Sequence, residues 1–436
     1  MFSNFLRIIF KFLMVNKLVG LIAFVYCLKT TRIGKKKKYK ILALNYERFR
    51  GELEILSKNK NIEINILPFS WQTRFINYFL NNEEKRLIGT IDSIKKNNFK
   101  KFEDFLILFL KKYYSFKKID LVIGCAVHYK HDITWGKVSK KIGIPYVVLH
   151  KECLYGSNGF IHDFKNKWLV GREKFSGSHV IVHNYIVRDL WIKNKFINKE
   201  NISVGGNMRM QDFIKKKPMK VKKIDLLFFS FAPGVGLSSM GLKMFPKKNK
   251  GFYNLSYNTH KVIFQYALEN PDKKVVIKTK WGDEWINYII DIAKKNKIEI
   301  SKLSNLKIIS DYKFNVHNLI LSSDTIVGFN STTVLESSIK NKNVIIPYFD
   351  EAKDKVLKKY VFFHEYLGLF NIAKSQNDLK KKINKCLFKK SLDFSMEKRK
   401  LVFSKFVSPY NQNSINIQSS ILLKILMKSK YEKRLS

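Results

Sequence analysis

Thr325-Ile326-Val327-Gly328-Phe329-Asn330-Ser331-Thr332-Thr333-Val334-Leu335-Glu336 runs from a short β-branched stretch, through a glycine, into a turn of small polar residues and then a helical segment. A brief apolar run bounded by turn residues predicts a buried strand, and a strand feeding a helix through a tight turn is the repeating unit of a parallel α/β sheet. The turn invites chemistry as well as a fold. Unpaired backbone N–H groups and the helix dipole make such a helix entry favourable for an anion, with Asn330, Ser331, Thr332 and Thr333 lining it. Glu336, about one turn further in, can offer two acceptor oxygens to a diol. A second reading stays open: Thr332 or Thr333 with Glu336 forms a capping box that needs no ligand.

The same alternation extends in both directions. Ile224–Phe231, Lys274–Lys280, Leu306–Ile309, Thr325–Phe329 and Asn343–Pro347 read as strands, with helices over Thr259–Leu268, Glu284–Lys297 and from Ser331. Upstream, Tyr39–Leu44, Asn61–Leu67, Ile119–Cys125, Pro145–His150, Val180–His183 and Ile202–Gly205 form another strand series, with helical spacing over 72–117 and Trp135–Lys141. Lys215–Lys223, a charge run containing Pro218, separates the two. The expectation is therefore an α/β protein of two Rossmann-like domains: residues 1–36 as an N-terminal helix, 37–217 and 218–390 as the domains, and 391–436 as closing helices. Open parallel sheets bind ligands outside the carboxyl ends of their strands, here expected in an interdomain cleft.

Composition narrows the class. With 436 residues and 45% hydrophobic content the chain can fill two cores, and its net charge is +47. The excess is mostly lysine spread along the chain without any nucleic-acid recognition motif, so no nucleic-acid partner is expected; a membrane surface or a phosphorylated partner fits better. Cys27, Cys125, Cys153 and Cys386 have neither zinc nor disulfide spacing and suit a reducing cytoplasm. Near the N-terminus, the apolar run Leu18–Leu28 is shorter than the about 20 residues that span a bilayer, and Arg7, Lys11 and Lys17 interrupt any longer window. It reads either as a helix lying on the inner face of the cell membrane or as a helix packed on the first domain.

The Asn330–Glu336 segment resembles the nucleotide-binding element of GT-B glycosyltransferases, in particular those of bacterial surface-carbohydrate and capsule synthesis and the related glycerophosphate transferases. Three other segments fall in the order that resemblance implies. Gly205-Gly206-Asn207-Met208-Arg209-Met210-Gln211-Asp212 is similar to the element closing the N-terminal domain, and Phe228–Gly234 to the first C-domain strand with its phosphate-facing loop. Val275–Lys280 is similar to a strand that usually ends Lys-x-His-Pro; here Lys280 replaces the histidine and Trp281 the proline. The resemblance implies a nucleotide-sugar donor held by Arg209, Ser230, Lys278, Lys280, Asn330, Ser331, Thr332, Thr333 and Glu336. It further implies inverting, metal-independent transfer without a cofactor, and a C-terminal crossover helix, for which Ile415, Ile417, Ile421, Leu422 and Ile425 have helical spacing.

An acceptor hydroxyl must lose its proton, so a base belongs on the first domain. The strand-end loops supply Asp132 and Glu152, with His131, His150 and His128 as alternatives and Lys151 and Arg209 as acceptor or phosphate contacts; each is equally readable as part of a solvated polar loop. His128, His131 and Asp132 lack an adjacent third ligand, so no metal is expected. No Gly-Lys-Ser/Thr phosphate loop or Gly-x-Ser-x-Gly elbow occurs. The function expected is glycosyl or polyol-phosphate transfer to a glycan or lipid-linked acceptor in capsule, O-antigen or lipopolysaccharide synthesis, at the inner membrane face. Alternatives are a non-hydrolysing nucleotide-sugar 2-epimerase and a non-enzymatic basic protein binding nucleic acid or lipid.

Overall fold

In the computed structural model, which describes residues 18–49, 51–216, 224–247, 250–280, 282–310, 315–388 and 394–435, the chain divides into two compact units. The first comprises Met1–Cys153, Leu169–Gln211 and Asn411–Ser436; the second comprises Leu154–Trp168 and Asp212–Tyr410. Arg7, Lys11, Lys17, Lys217–Lys223 and Trp281, named above, lie outside the described residues.

The first unit holds a seven-stranded sheet of β1 (Thr31–Ile33), β2 (Tyr39–Ala43), β3 (Ile62–Ile66), β4 (Leu121–Gly124), β5 (Tyr146–Leu149), β6 (His179–Val182) and β7 (Ile202–Val204). Its spatial order is β1-β3-β2-β4-β5-β6-β7, and every pair is parallel except β1 with β3. All four residues of β4 and of β5 are buried, as expected of central strands covered on both faces. Ile41, Ile64, Leu121, Ile123, Val147 and Ile181 share a core with Leu422 and Leu426 of the helix Ser414–Leu435. That helix is tied to the unit by Gln418 Nε2, which donates to the Gly206 carbonyl at 2.7 Å.

The second unit holds a wholly parallel sheet of β8 (Ile224–Phe229), β9 (Val275–Lys278), β10 (Leu306–Ile309), β11 (Ser323–Val327), β12 (Asn343–Pro347) and β13 (Asn371–Ala373), in the order β10-β9-β8-β11-β12-β13. The strand order reverses between β2 and β4 in the first unit and between β8 and β11 in the second. Such switch points open a crevice at the strands' carboxyl ends, so they fix where each unit can hold a ligand. This is the GT-B class of α/β architecture expected from the sequence.

Two strands and two helix starts differ from the sequence expectations. The edge strands β1 and β13 are additional. The helix expected from Trp135 begins at Lys130, which puts His131 and Asp132 in its first turn rather than in a loop. The helix expected from Thr259 begins at Tyr253. Gly136 fits the helix Lys130–Lys141 against β5, since a Cβ there would come within 2.2 Å of the Tyr146 ring.

Candidate functional site

At the second unit's switch point, Ser331 caps the helix Thr332–Ser338, accepting from the Thr333 N–H at 3.3 Å and from the Thr333 hydroxyl at 2.9 Å. The capping box with Glu336 is not made. Glu336 is buried, with Oε2 3.4 Å from His317 Nε2, and His317 stacks on Phe213 at 4.1 Å. Asn330 takes the left-handed conformation (φ 47°), which Asn tolerates better than most residues. Its Nδ2 donates to the carbonyls of Val235 (3.3 Å) and Tyr360 (3.0 Å), and its Oδ1 accepts from the Phe362 N–H (2.7 Å). Asn330 thus ties together three loops that frame the site.

Other nominated donor residues are also engaged. Ser230 follows β8 and is buried. The His260 Nδ1–H donates to the Ser256 carbonyl at 2.7 Å, so its Nε2 accepts from the Ser230 hydroxyl at 2.8 Å, while Trp285 Nε1 donates to Ser230 Oγ at 2.7 Å. Burial lowers the His260 pKa to about 4, which keeps this tautomer neutral. Lys278 is buried, with Nζ donating to the Thr279 carbonyl at 2.6 Å. Glu351 accepts the N–H groups of Asn254 and Leu255, both at 2.8 Å, and so fills the entry of the helix Tyr253–Glu269 with an internal carboxylate. Lys280 is exposed, and Ser331, Thr332 and Thr333 are half-buried. These four are the nominated second-unit residues best placed to meet a ligand.

At the first unit's switch point, Asp132 is fully buried. Its Oδ2 accepts from the N–H groups of Cys125 (2.8 Å) and Ala126 (3.4 Å), and its Oδ1 lies 3.1 Å from His131 Nε2. Gly124 makes room for this turn, because a Cβ there would lie 2.7 Å from Tyr146 Oη and 3.0 Å from Asp132 Oδ2. Glu152 is exposed and accepts from Tyr129 Oη at 3.1 Å. His150 is buried against Trp191, with ring centroids 4.7 Å apart, and its Nδ1 has no partner. Burial first, then His128 and His183, push its pKa well down. Burial also lowers the pKa of His128, which lies 5.9 Å from His150.

Two residues absent from the sequence-based set complete this cluster. Glu52, in the short helix Glu52–Leu56 after β2, is only 2% exposed; Oε2 lies 2.9 Å from Lys151 Nζ and Oε1 3.6 Å from Arg209 Nε. Burial pushes the Glu52 carboxyl up, but Lys151, Arg209 and His183 together outweigh it and the net shift is downward. His183, just past β6, is buried with a pKa lowered to about 4. The topological rule could have found Glu52, because it follows the strand at which the order reverses.

Among the described residues no three His, Cys, Asp or Glu side chains group as metal ligands. The first unit also has a cavity of about 380 Å³ lined by Ile88, Phe99, Phe102, Leu106 and Val138, with Lys100, Lys137 and Glu173 among its polar groups. None of the nominated residues lines it.

No known protein family matches the chain, and no curated protein does. Among solved structures, it is similar to a Listeria monocytogenes protein described as a UDP-N-acetylglucosamine 2-epimerase, with a TM-score of 0.51, 10% identity, and coverage of 91% of this chain and 98% of that one. The wall teichoic acid polymerase TagF gives a TM-score of 0.49 at 13% identity, covering 98% of both chains. A glycosyltransferase from Rickettsia africae gives 0.42 at 15% identity, covering 90% of this chain and 99% of that one. At such identities the likeness is one of fold.

Proposed function

We propose that this chain is a glycosyltransferase that moves a sugar or polyol phosphate from a nucleotide-activated donor to a surface-glycan acceptor, glycan or lipid-linked. The observation that carries this reading is that each unit gathers its polar side chains at the carboxyl ends of its strands, at and beside the point where strand order reverses. The second unit receives the donor at Ser331, Thr332, Thr333 and Lys280, where hydroxyls, helix-entry N–H groups and a cation suit a departing phosphate. Asn330, Ser230 and Lys278 shape that site from within. Glu336 meets the donor only if its carboxylate turns from His317.

On the first unit Glu152 is the proposed base. It is the exposed carboxylate among the nominated residues, whereas Asp132 is committed to two backbone N–H groups and to His131. Direct displacement then needs only that Glu152 take the acceptor proton while the second unit stabilises the leaving group. The inverting, metal-independent course comes from the resemblance.

A place at the membrane surface is supported by the helix Val19–Lys29, whose exposed face carries Leu21, Phe24 and Leu28 beside Leu18. No helix among the described residues is long and apolar enough to cross a membrane. A helix apolar all round is normally covered, by protein or by lipid.

The test is product analysis of the intact protein with uridine, cytidine and guanosine diphospho-sugars, with and without a glycan acceptor. Glu152→Gln should lower kcat by about 10²–10⁴-fold while leaving donor binding intact. An isomerised sugar nucleotide formed without any acceptor would replace the transferase reading with the epimerase one.

A further inference from the structure

The Glu52 cluster brings two cations to one buried carboxylate, with the exposed carboxylate of Glu152 close enough to act on the same histidine, His183. Glu52 is buried between two cations, Lys151 at 2.9 Å and Arg209 at 3.6 Å, and the neighbouring His183 is neutral at pH 7. Lys151 is anchored, since Nζ also donates to the Phe49 carbonyl at 2.7 Å. Arg209 is not. Its Nε is buried and unbonded, among the described residues neither Nη group has a hydrogen-bond partner, and its side chain is 30% exposed. Glu52 Oε1, on a residue 2% exposed, likewise accepts no hydrogen bond.

Lys151 already pairs with Glu52 Oε2, so the 3.6 Å approach of Arg209, which closes no hydrogen bond, adds little as a stability device. The arrangement makes sense if the carboxylate aims the guanidinium. Arg209 keeps its forked face of N–H donors free, and that face matches the paired oxygens of a phosphate or carboxylate.

We propose that Arg209, aimed by the positioning residue Glu52, is an anchor for an anionic group on the acceptor, so that the first unit takes a phosphate- or carboxylate-bearing acceptor rather than a neutral glycan. This rests on the transferase reading for the word acceptor; the anion site itself does not. Charge alone and positioning predict opposite signs for one substitution. Removing the negative charge of Glu52 should tighten anion binding if charge is all that matters, and weaken it if Glu52 holds Arg209 in place.

The experiment is calorimetric titration of the full chain at low salt with sn-glycerol 3-phosphate, glucuronate, and glycerol as the neutral control. The two anions distinguish phosphate from carboxylate. Wild-type protein should bind at least one anion and not glycerol. Arg209→Lys, which keeps the charge and loses the fork, and Glu52→Gln should each weaken binding at least tenfold, with Glu52→Asp recovering part of the loss. Tighter or unchanged binding by Glu52→Gln, or wild-type binding by Arg209→Lys, overturns the proposal. If Glu52→Gln does not fold, as judged by circular dichroism, Arg209→Lys and Glu52→Asp decide it. Nucleoside diphosphate binding is titrated in parallel. Its absence with anion binding intact counts against the transferase reading alone, and anion binding that fails while nucleotide binds counts against the anchor alone.

Discussion

Asn330 is where the donor site's framework can be tested most sharply. Its side chain makes three hydrogen bonds, to the Val235 and Tyr360 carbonyls and from the Phe362 N–H, on a residue 7% exposed in the left-handed region. Asn330→Ala leaves the Phe362 N–H and two carbonyls without their partner and puts a poorly suited residue at a φ of 47°. The two buried groups, the Phe362 N–H and the Tyr360 carbonyl, at about 1–2 kcal/mol each and about 1 kcal/mol of backbone strain sum to roughly 3–5 kcal/mol, the Val235 carbonyl being partly open to water. Asn330→Gly relieves the strain and keeps the other losses, so it should be about 1 kcal/mol milder. Asn330→Asp should do at least as much harm as Ala, because a carboxylate oxygen would face the two carbonyl oxygens that Nδ2 now serves. Hydrogen exchange followed by mass spectrometry reads this at the Phe362 amide. A local loss of about 3 kcal/mol speeds exchange there by roughly 10²-fold. Unchanged exchange in Asn330→Ala, or an Asp variant as protected as wild type, would refute the reasoning.

Acid should weaken both units. His183 and His260 are buried with pKa lowered from 6.5 to about 4, so the unfolded chain binds more protons between those values and stability is lost as pH falls from about 6.5 toward about 4. The limit is about 3 kcal/mol per histidine, and denaturation midpoints that stay level from pH 7 to 4.5 would contradict it. Gly136→Ala forces a methyl into the Tyr146 ring and should cost several kcal/mol, about 2 or more; a thermal midpoint within 1 °C or so of wild type would show that the helix shifts freely. Replacing Leu21 and Phe24 together by Ser should reduce co-sedimentation with anionic vesicles several-fold while leaving the fold intact, and undiminished binding would remove this helix from the membrane reading.

The parallel sheets were legible because their inner strands are short apolar runs, as in Leu121-Val122-Ile123, ending at Gly124, and Val344-Ile345-Ile346, ending at Pro347. The edge strands were not, since three residues such as Thr31-Arg32-Ile33 carry no periodicity. The early start of the helix at Lys130 carries no signal in the sequence, because its capping position, Tyr129, makes no side-chain cap and its first turn is polar. At the site, sequence indicates position along a strand but not which way a polar atom points. Ser230, Lys278 and Asn330 stand at strand ends as expected, yet their hydrogen bonds are made inward. Glu52 lies in a five-residue helix behind a glycine, and only the three-dimensional meeting with Lys151 and Arg209 marks it out.

The most direct test of the central claim, a nucleotide-sugar donor held at the second unit's switch point, is hydrogen exchange of the whole protein with and without a panel of nucleoside diphospho-sugars. At least one donor should protect residues 228–236, 278–280 and 330–336 together. Protection by no member of the panel, or protection confined to the first unit, would contradict it.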